Sequence, residues 1–280
     1  MTLATRQLPT CLNHTITVFS DDHIGDNIQR HGLHEKETLL VLCELLGRLR
    51  APVVLDIGAN IGNHTLAFAT RATRVHAFEP LPDAFSLLNS NVQNNLLSNV
   101  ALHAVALSDR DDVATLYQAP LHNVGMSSFD PRQGEFTAIP VTRRCGDHYL
   151  AELGVTRVDF MKIDVEGHEP QVLQGLENTI RHDLPLIALE WNNAAAIARF
   201  DGIPIWEFLN GAYSFFALGT THDRTVWEHS RFAFLQRKWR RLLPRQAIFH
   251  GFDRDRCYDC ILLVPRGQES LLDGLAPLAN

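Results

Sequence analysis

Lysine is almost missing from this chain. Only Lys36, Lys162 and Lys238 occur among 25 basic side chains in 280 residues, so arginine carries the positive charge and the place of each lysine becomes informative. Acidic side chains number 32, and the net charge of -7 disfavours a uniformly basic nucleic-acid binder, though not a local basic patch. No apolar run reaches the roughly 18 residues of a membrane span, so no transmembrane segment is expected. Residues 1–11 hold one arginine and no apolar stretch like that of a signal peptide, which sets the expectation of a cytoplasmic, reducing location. Cysteine is scarce too. Cys11, Cys43 and Cys145 stand alone, and the C-x-x-C pair Cys257 and Cys260 has no second pair to complete a zinc site. The fourteen histidines contain no H-E-x-x-H arrangement.

What is present is an alternation of apolar strands and amphipathic helices. Residues 1–33 read as an irregular lead with one short strand at 16–19, and a helix with a leucine face follows and ends before Pro52. Strands are expected at 53–57, 74–78, 101–107, 158–164 and 186–191, with helices at about 63–70, 85–95, 169–181 and somewhere in 194–209. Continuous apolar strands separated by helices imply a parallel sheet covered on both faces. Residues 214–218 and 257–264 read as two further strands with no crossover helix between them, which fits an antiparallel final pair. The expected organisation is an N-terminal extension and helix over 1–50, packed on a domain over 51–280 that carries an insert at about 221–256.

The first strand runs directly into Asp56-Ile-Gly58-Ala-Asn60-Ile-Gly62, and a helix opens at Asn63. Glycines let the backbone turn tightly and approach a ligand, and a helix N-terminus favours a carboxylate or phosphate. The spacing is not the G-x-G-x-x-G of a pyrophosphate-binding turn, which argues against a nicotinamide-dependent oxidoreductase. The second strand ends in Glu79-Pro80, where an acid can accept hydrogen bonds from both ribose hydroxyls. Together these features call for a nucleoside without pyrophosphate, and S-adenosyl-L-methionine fits, with Asp56 near its amino-acid end.

On the fourth strand, period-two alternation puts Lys162 and Asp164 on one face of an otherwise apolar segment. A buried lysine or aspartate is costly unless paired, so this pair is expected to have a role. Asp164, Glu166, His168 and Glu190, the last at the end of the fifth strand, are the candidate bases for taking a proton from an acceptor. His168 has the most convenient ordinary pKa but is expected to face solvent after the turn. Asp164, Glu166 and Glu190 could together hold a magnesium ion. The insert carries nine basic and four acidic residues, with aromatics such as Trp227, Phe232, Phe234, Trp239 and Phe249 interleaved. Arginines such as Arg237 and Arg240 among aromatics suit a sugar, an anionic group or nucleic-acid bases.

Three stretches carry a resemblance: residues 56–62, His76-Ala-Phe-Glu-Pro80, and Lys162-Ile-Asp-Val-Glu-Gly-His-Glu169. They resemble the FkbM family of S-adenosylmethionine-dependent methyltransferases, over roughly residues 24–192. The resemblance implies a class I methyltransferase, Rossmann-like, with a mostly parallel seven-stranded sheet and an antiparallel last strand. It also implies O-methylation of a hydroxyl on a small glycosidic or natural-product acceptor, as in secondary metabolism. It places the cofactor's adenine near Ser108 and brings Glu35 toward the cleft. No nucleic-acid partner is expected, and the alternative is an RNA methyltransferase that uses the basic insert. Where the family commonly has Leu-Asp-Asp, this chain has Cys145-Gly146-Asp147.

Overall fold

The computed structural model describes residues 4–120, 125–130, 135–221 and 246–275. The chain opens with strands β1 (Thr5–Pro9) and β2 (Thr15–Phe19), then helices α1 (His23–His31) and α2 (Lys36–Leu46). Next come β3 (Val53–Ile57), α3 (Asn63–Ala69), β4 (Arg74–Phe78), α4 (Pro82–Asn94) and β5 (Val100–His103). A small side sheet follows, formed by β6 (Ala106–Ser108), β7 (Asp112–Gln118) and β8 (Thr137–Cys145). The rest is α5 (Gly146–Glu152), β9 (Phe160–Ile163), α6 (Glu169–Gly175), α7 (Glu177–Asp183), β10 (Leu186–Trp191), α8 (Ala194–Arg199), α9 (Pro204–Ala212), β11 (Tyr213–Thr220), β12 (Ala247–Gly251) and β13 (Tyr258–Pro265). No helix among the described residues is long and apolar enough to cross a membrane.

The main sheet has the order β12-β11-β13-β10-β9-β3-β4-β5. The five strands from β10 to β5 are parallel, whereas β13 runs antiparallel to both β10 and β11. Alternation assigns their side chains to two cores. Val54, Phe160 and Ala188 join Leu39, Leu42 and Phe68 from α2 and α3, whereas Leu55, Met161 and Ile187 join Val172, Leu173 and Trp206 from α6 and α9. The register matters for the site. Lys162 lies opposite Asp56 on one side and Ala188 on the other. Two residues further along, Asp164 and Glu190 therefore emerge on the same α2–α3 face, at the carboxyl edge of the sheet.

Several expectations need correction. The sheet has eight strands rather than seven, because β12 lies inside the segment read as an insert and pairs with β11 at the edge. The lead is not irregular: it holds a hairpin and α1, which ends at Gly32 with φ +83° and its amide donated to Ile28 O. The strand expected at 101–107 is two strands, since the chain leaves β4 after His103 and β6 pairs with β8 in the side sheet. The helix expected at 169–181 breaks at Leu176, which has non-helical backbone angles.

The hairpin is tied down by side chains that imitate a neighbouring strand. On α4, Asn91 Nδ2 donates to Thr17 O and to Ile61 O, and Asn91 Oδ1 accepts from Thr17 N. One turn on, Asn95 makes the same two bonds to Thr15. Asn91 is fully buried. Asn91→Ala leaves one amide and two carbonyls without these partners and is expected to cost roughly 2–3 kcal/mol. The measurement is urea unfolding, with a lower midpoint and an unchanged slope. A loss under 0.5 kcal/mol would show that the hairpin is held by its apolar contacts alone.

Candidate active site

The loop after β3 is built by positive φ angles, +81° at Gly58, +49° at Asn60 and +98° at Gly62. Gly58 cannot be replaced without conflict, because a Cβ there would lie 1.8 Å from Asp164 O. The amides of Gly58 and Ala59 both donate to Phe78 O at 3.0 Å, so the loop is fastened to the end of β4. Glu79 continues that fastening. Its Oε2 accepts from Asn60 N at 2.9 Å and its Oε1 from Leu81 N at 2.8 Å. Burial pushes the Glu79 carboxyl up to about 7, against the pull of those two amides. Asn60 Oδ1 is buried with no partner among the described residues. Glu79, Asn60, Asn63 and Pro80 all border a cavity beneath the loop. A close-approach glycine, an acid with lone pairs to spare and an unpaired amide oxygen fit a nucleoside with its amino-acid arm.

The acidic corner of the same cavity gathers side chains from four elements. Lys162 is 6% exposed. Its Nζ lies 3.1 Å from Asp164 Oδ2 and 3.9 Å from Asp56 Oδ1, and donates to Gly58 O at 3.2 Å. Burial pulls this ammonium down, but the Asp164 and Asp56 carboxylates outweigh it and raise its pKa. Burial pushes Asp164 up, yet Lys162 prevails and holds it below the usual carboxylate range. Glu190 goes the other way, pushed well up by burial and by Asp164. The pair is thereby polarised, Asp164 toward its ionised form and Glu190 toward its protonated one. Glu190 Oε1 accepts from Asn192 Nδ2. Asp164, Glu166 and Glu190 bring an oxygen each within 4.8 Å of one another.

Glu35 reaches this corner through a left-handed backbone, φ +51°, at the start of α2. Asn63 sets it there: Oδ1 accepts from His34 N and Nδ2 donates to His34 O, both at 3.1 Å. Glu35 Oε2 lies 3.6 Å from His64 Nε2. Burial pushes Glu35 up to about 7 and pulls His34 down to about 4, with His64 well below its ordinary value for the same reason. The turn from Asp164 to Glu169 is braced from within. Glu169 Oε1 accepts from Val165 N and Gly167 N, Glu166 O accepts from Ser128 Oγ, and Arg199 bridges Gly167 O and Asp130.

The expected site residues thus fall into groups. Glu35, Gly58, Asn60, Asn63, Glu79, Pro80, Lys162, Asp164, Glu166, His168 and Glu190 border one cavity. Asp56, Gly62 and Ser108 stand behind its wall. Asp56 is fully buried and accepts from Thr65 Oγ1, so it anchors Lys162 from below. Arg237 and Arg240 lie outside the described residues. His168 is not the solvent-facing residue expected: it is 7% exposed, and its ring packs on Phe129 with centroids 4.6 Å apart. Sequence reading missed His34, His64 and the Glu169 clamp. A histidine in the first turn of α3, directly after the glycine loop, was the signal that could have found His64.

Strand order, the reversed β13, the glycine turn after β3 and the acid after β4 together define a class I methyltransferase. The chain belongs to the methyltransferase FkbM domain family, whose pattern matches residues 56–243. It is 31% identical over 129 residues to the hexuronic acid methyltransferase AglP of Haloferax volcanii, covering 46% of this chain and 52% of that protein. It is 30% identical over 158 residues to the 31-O-demethyl-FK506 methyltransferase FkbM of Streptomyces tacrolimicus, covering 45% of this chain and 60% of that one. The matches thus span little more than half the length of these curated relatives. A crystal structure of a methyltransferase FkbM from Methylobacillus flagellatus aligns with TM-score 0.45 and 16% identity, over 78% of this chain and 45% of the other.

Proposed function

We propose that this protein is an S-adenosylmethionine-dependent O-methyltransferase acting on a hydroxyl of a small glycosidic or natural-product acceptor. The observation that carries the proposal is Asp164, held 3.1 Å from the Lys162 ammonium, at the edge of the cavity that Gly58, Asn60 and Glu79 border. When bound, S-adenosylmethionine supplies an electrophilic methyl group on a sulfonium. Asp164 takes the acceptor's proton, a task worth about 10²–10⁴-fold in rate. Lys162 keeps Asp164 ionised and, through Gly58 O, locks the cofactor loop to β9. Gly58, Asn60, Asn63, Glu79 and Pro80 hold the cofactor, while Asp56, Gly62 and Ser108 support them from behind. Glu35, placed by Asn63 beside His64, orients the acceptor hydroxyl together with the protonated Glu190 and with Glu166.

The names of the two relatives, a hexuronic acid methyltransferase and a methyltransferase of demethylated FK506, support an acceptor that is a sugar or a hydroxylated natural product. We assign no step to a magnesium ion, since Lys162 already supplies the positive charge beside Asp164. Residues 1–50 serve as the front wall to a catalytic domain at 51–280. All five cysteines are free thiols, which suits the cytoplasmic setting of this proposal.

The test incubates the protein with methyl-labelled S-adenosylmethionine and four acceptor pools: hexuronic acid glycosides, neutral glycosides, hydroxylated macrolides and RNA. The expected product is an alkali-stable methyl ether in one of the first three. Label released as methanol by mild alkali would make the acceptor a carboxylate, and label in nuclease-sensitive material would make the protein an RNA methyltransferase.

A further inference from the structure

One group bordering the cavity has no part in the proton transfer above, and counting hydrogens fixes its state. Ser108 Oγ lies 3.1 Å from Asp109 Oδ1 and 2.9 Å from His168 Nε2. The hydroxyl has one hydrogen to share. Asp109 is bonded through both oxygens to Arg110, which holds it below the usual carboxylate range, so it can only accept. Ser108 therefore donates to Asp109 and accepts from His168, and the proton of the imidazole must be on Nε2. Burial pulls His168 down to about 4, so the ring carries that one proton and no second. Nδ1 is left as a bare acceptor, with no partner among the described residues.

The ring of His168 packs on Phe129, with centroids 4.6 Å apart. Phe78, Ala106, Leu107, Leu116 and Phe129 border the cavity together with His168. The side sheet places Ala106, Leu107 and Leu116, and α6 packs so closely on β6 that a Cβ on Gly175 would lie 1.8 Å from Ser108 O. A polyhydroxylated group needs many polar partners. A flat heteroaromatic ring with one exocyclic donor needs apolar faces and one acceptor, and that is what these residues offer.

We propose that His168 Nδ1 accepts a hydrogen bond from the 6-amino group of the cofactor's adenine, making His168 the residue that selects adenine over a 6-oxo purine. Asp109 and Ser108 are its positioning residues, since they set the tautomer. The proposal rests on the S-adenosylmethionine reading and moves His168 from the candidate bases to the binding of the purine. A 6-oxo purine presents an acceptor where adenine presents a donor, so it would face the Nδ1 lone pair with a lone pair of its own.

The experiment is calorimetric titration of wild type, His168→Phe and His168→Gln with S-adenosylhomocysteine and with S-inosylhomocysteine, its 6-oxo analogue. Nitrogen-15 NMR of the imidazole is recorded before and after each addition. Wild type is expected to prefer S-adenosylhomocysteine by about 30–100-fold. His168→Phe should bind it roughly tenfold or more weakly and leave S-inosylhomocysteine within about threefold, so the preference collapses. His168→Gln, whose side-chain oxygen also accepts, should keep most of the preference, and it stands in if the Phe variant does not fold. The free protein should show the Nε2-protonated tautomer, and Ser108→Ala should mix the two forms. Equal binding of both ligands by wild type, equal losses in the variants or an Nδ1-protonated ring would overturn the proposal. No binding of S-adenosylhomocysteine by wild type would overturn the cofactor reading itself and bring this one down with it.

Discussion

Asp164→Asn should retain S-adenosylhomocysteine affinity within about threefold while methyl transfer falls roughly a thousandfold, within the usual range for loss of a general base. The substitution keeps shape and size. The backbone of residue 164 still donates to Ile57 O at 3.1 Å, so the edge of the sheet is preserved. What disappears is the carboxylate that Lys162 holds at the cavity edge, whereas its neighbour Glu190 is pushed toward the protonated form. The pH dependence gives an independent check. A base works in its ionised form, so activity is present above its pKa and lost as pH falls through it. Lys162 depresses that pKa, and the acid limb of kcat/KM is expected below the ordinary carboxylate range. Lys162→Met should move the limb to higher pH. It should also destabilise the fold by about 3–5 kcal/mol, because Asp56 would be left buried without its cation. Near-normal turnover by Asp164→Asn would place the base elsewhere in the corner, with Glu35 the next to test.

Gly58→Ala is expected to abolish cofactor binding and to lower stability by several kcal/mol, whereas Gly62→Ala does much less. Both glycines have positive φ, so both substitutions carry a strain of about 1–2 kcal/mol. They differ in what the new methyl group meets. At Gly62 it meets Leu88 Cδ1 at 2.8 Å and Leu66 Cδ1 at 3.0 Å, ends of side chains that can rotate. At Gly58 it meets the backbone carbonyl of Asp164 at 1.8 Å. That carbonyl cannot yield without separating β3 from β9, and with them the cofactor loop from the base. Thermal unfolding and S-adenosylhomocysteine titration of the two variants read both effects. A Gly62→Ala protein as damaged as Gly58→Ala would show that the φ requirement, not the contact, dominates.

The parallel strands were legible because strands covered on both faces must be apolar throughout, and helices of 3.6-residue period separate them. Asp56, Lys162 and Asp164 stood out as polar residues inside such strands. The pairing of Lys162 with Asp164 followed from alternation along one strand, but that of Lys162 with Asp56 did not, since it depends on the register of β3 against β9, which no local pattern encodes. The hairpin β1–β2 escaped notice because its second strand finds its outer partners in the side chains of Asn91 and Asn95, more than seventy residues away. The split between β5 and β6 was hidden for a different reason. Residues 101–107 keep a mostly apolar pattern through the point where the chain passes from one sheet to another. His168 was misjudged because a histidine after a turn is usually wet. Here Ser108 and Phe129, from the side sheet and its loop, enclose it.

Asn91 on α4 and Asn95 at its C-terminal cap also order events in time. A two-stranded hairpin is marginal in water on its own. β1 and β2 are made early in synthesis, but Asn95 follows Thr15 by 80 residues. At the usual pace of translation that gap lasts about 4–16 s. The first fifty residues, which bring Glu35 to the cavity, must therefore wait as loose chain until β3, α3, β4 and α4 have emerged and docked. The amino-terminal wall therefore settles only once α4 is in place, and the active site closes when β9 and β10 bring in Asp164 and Glu190.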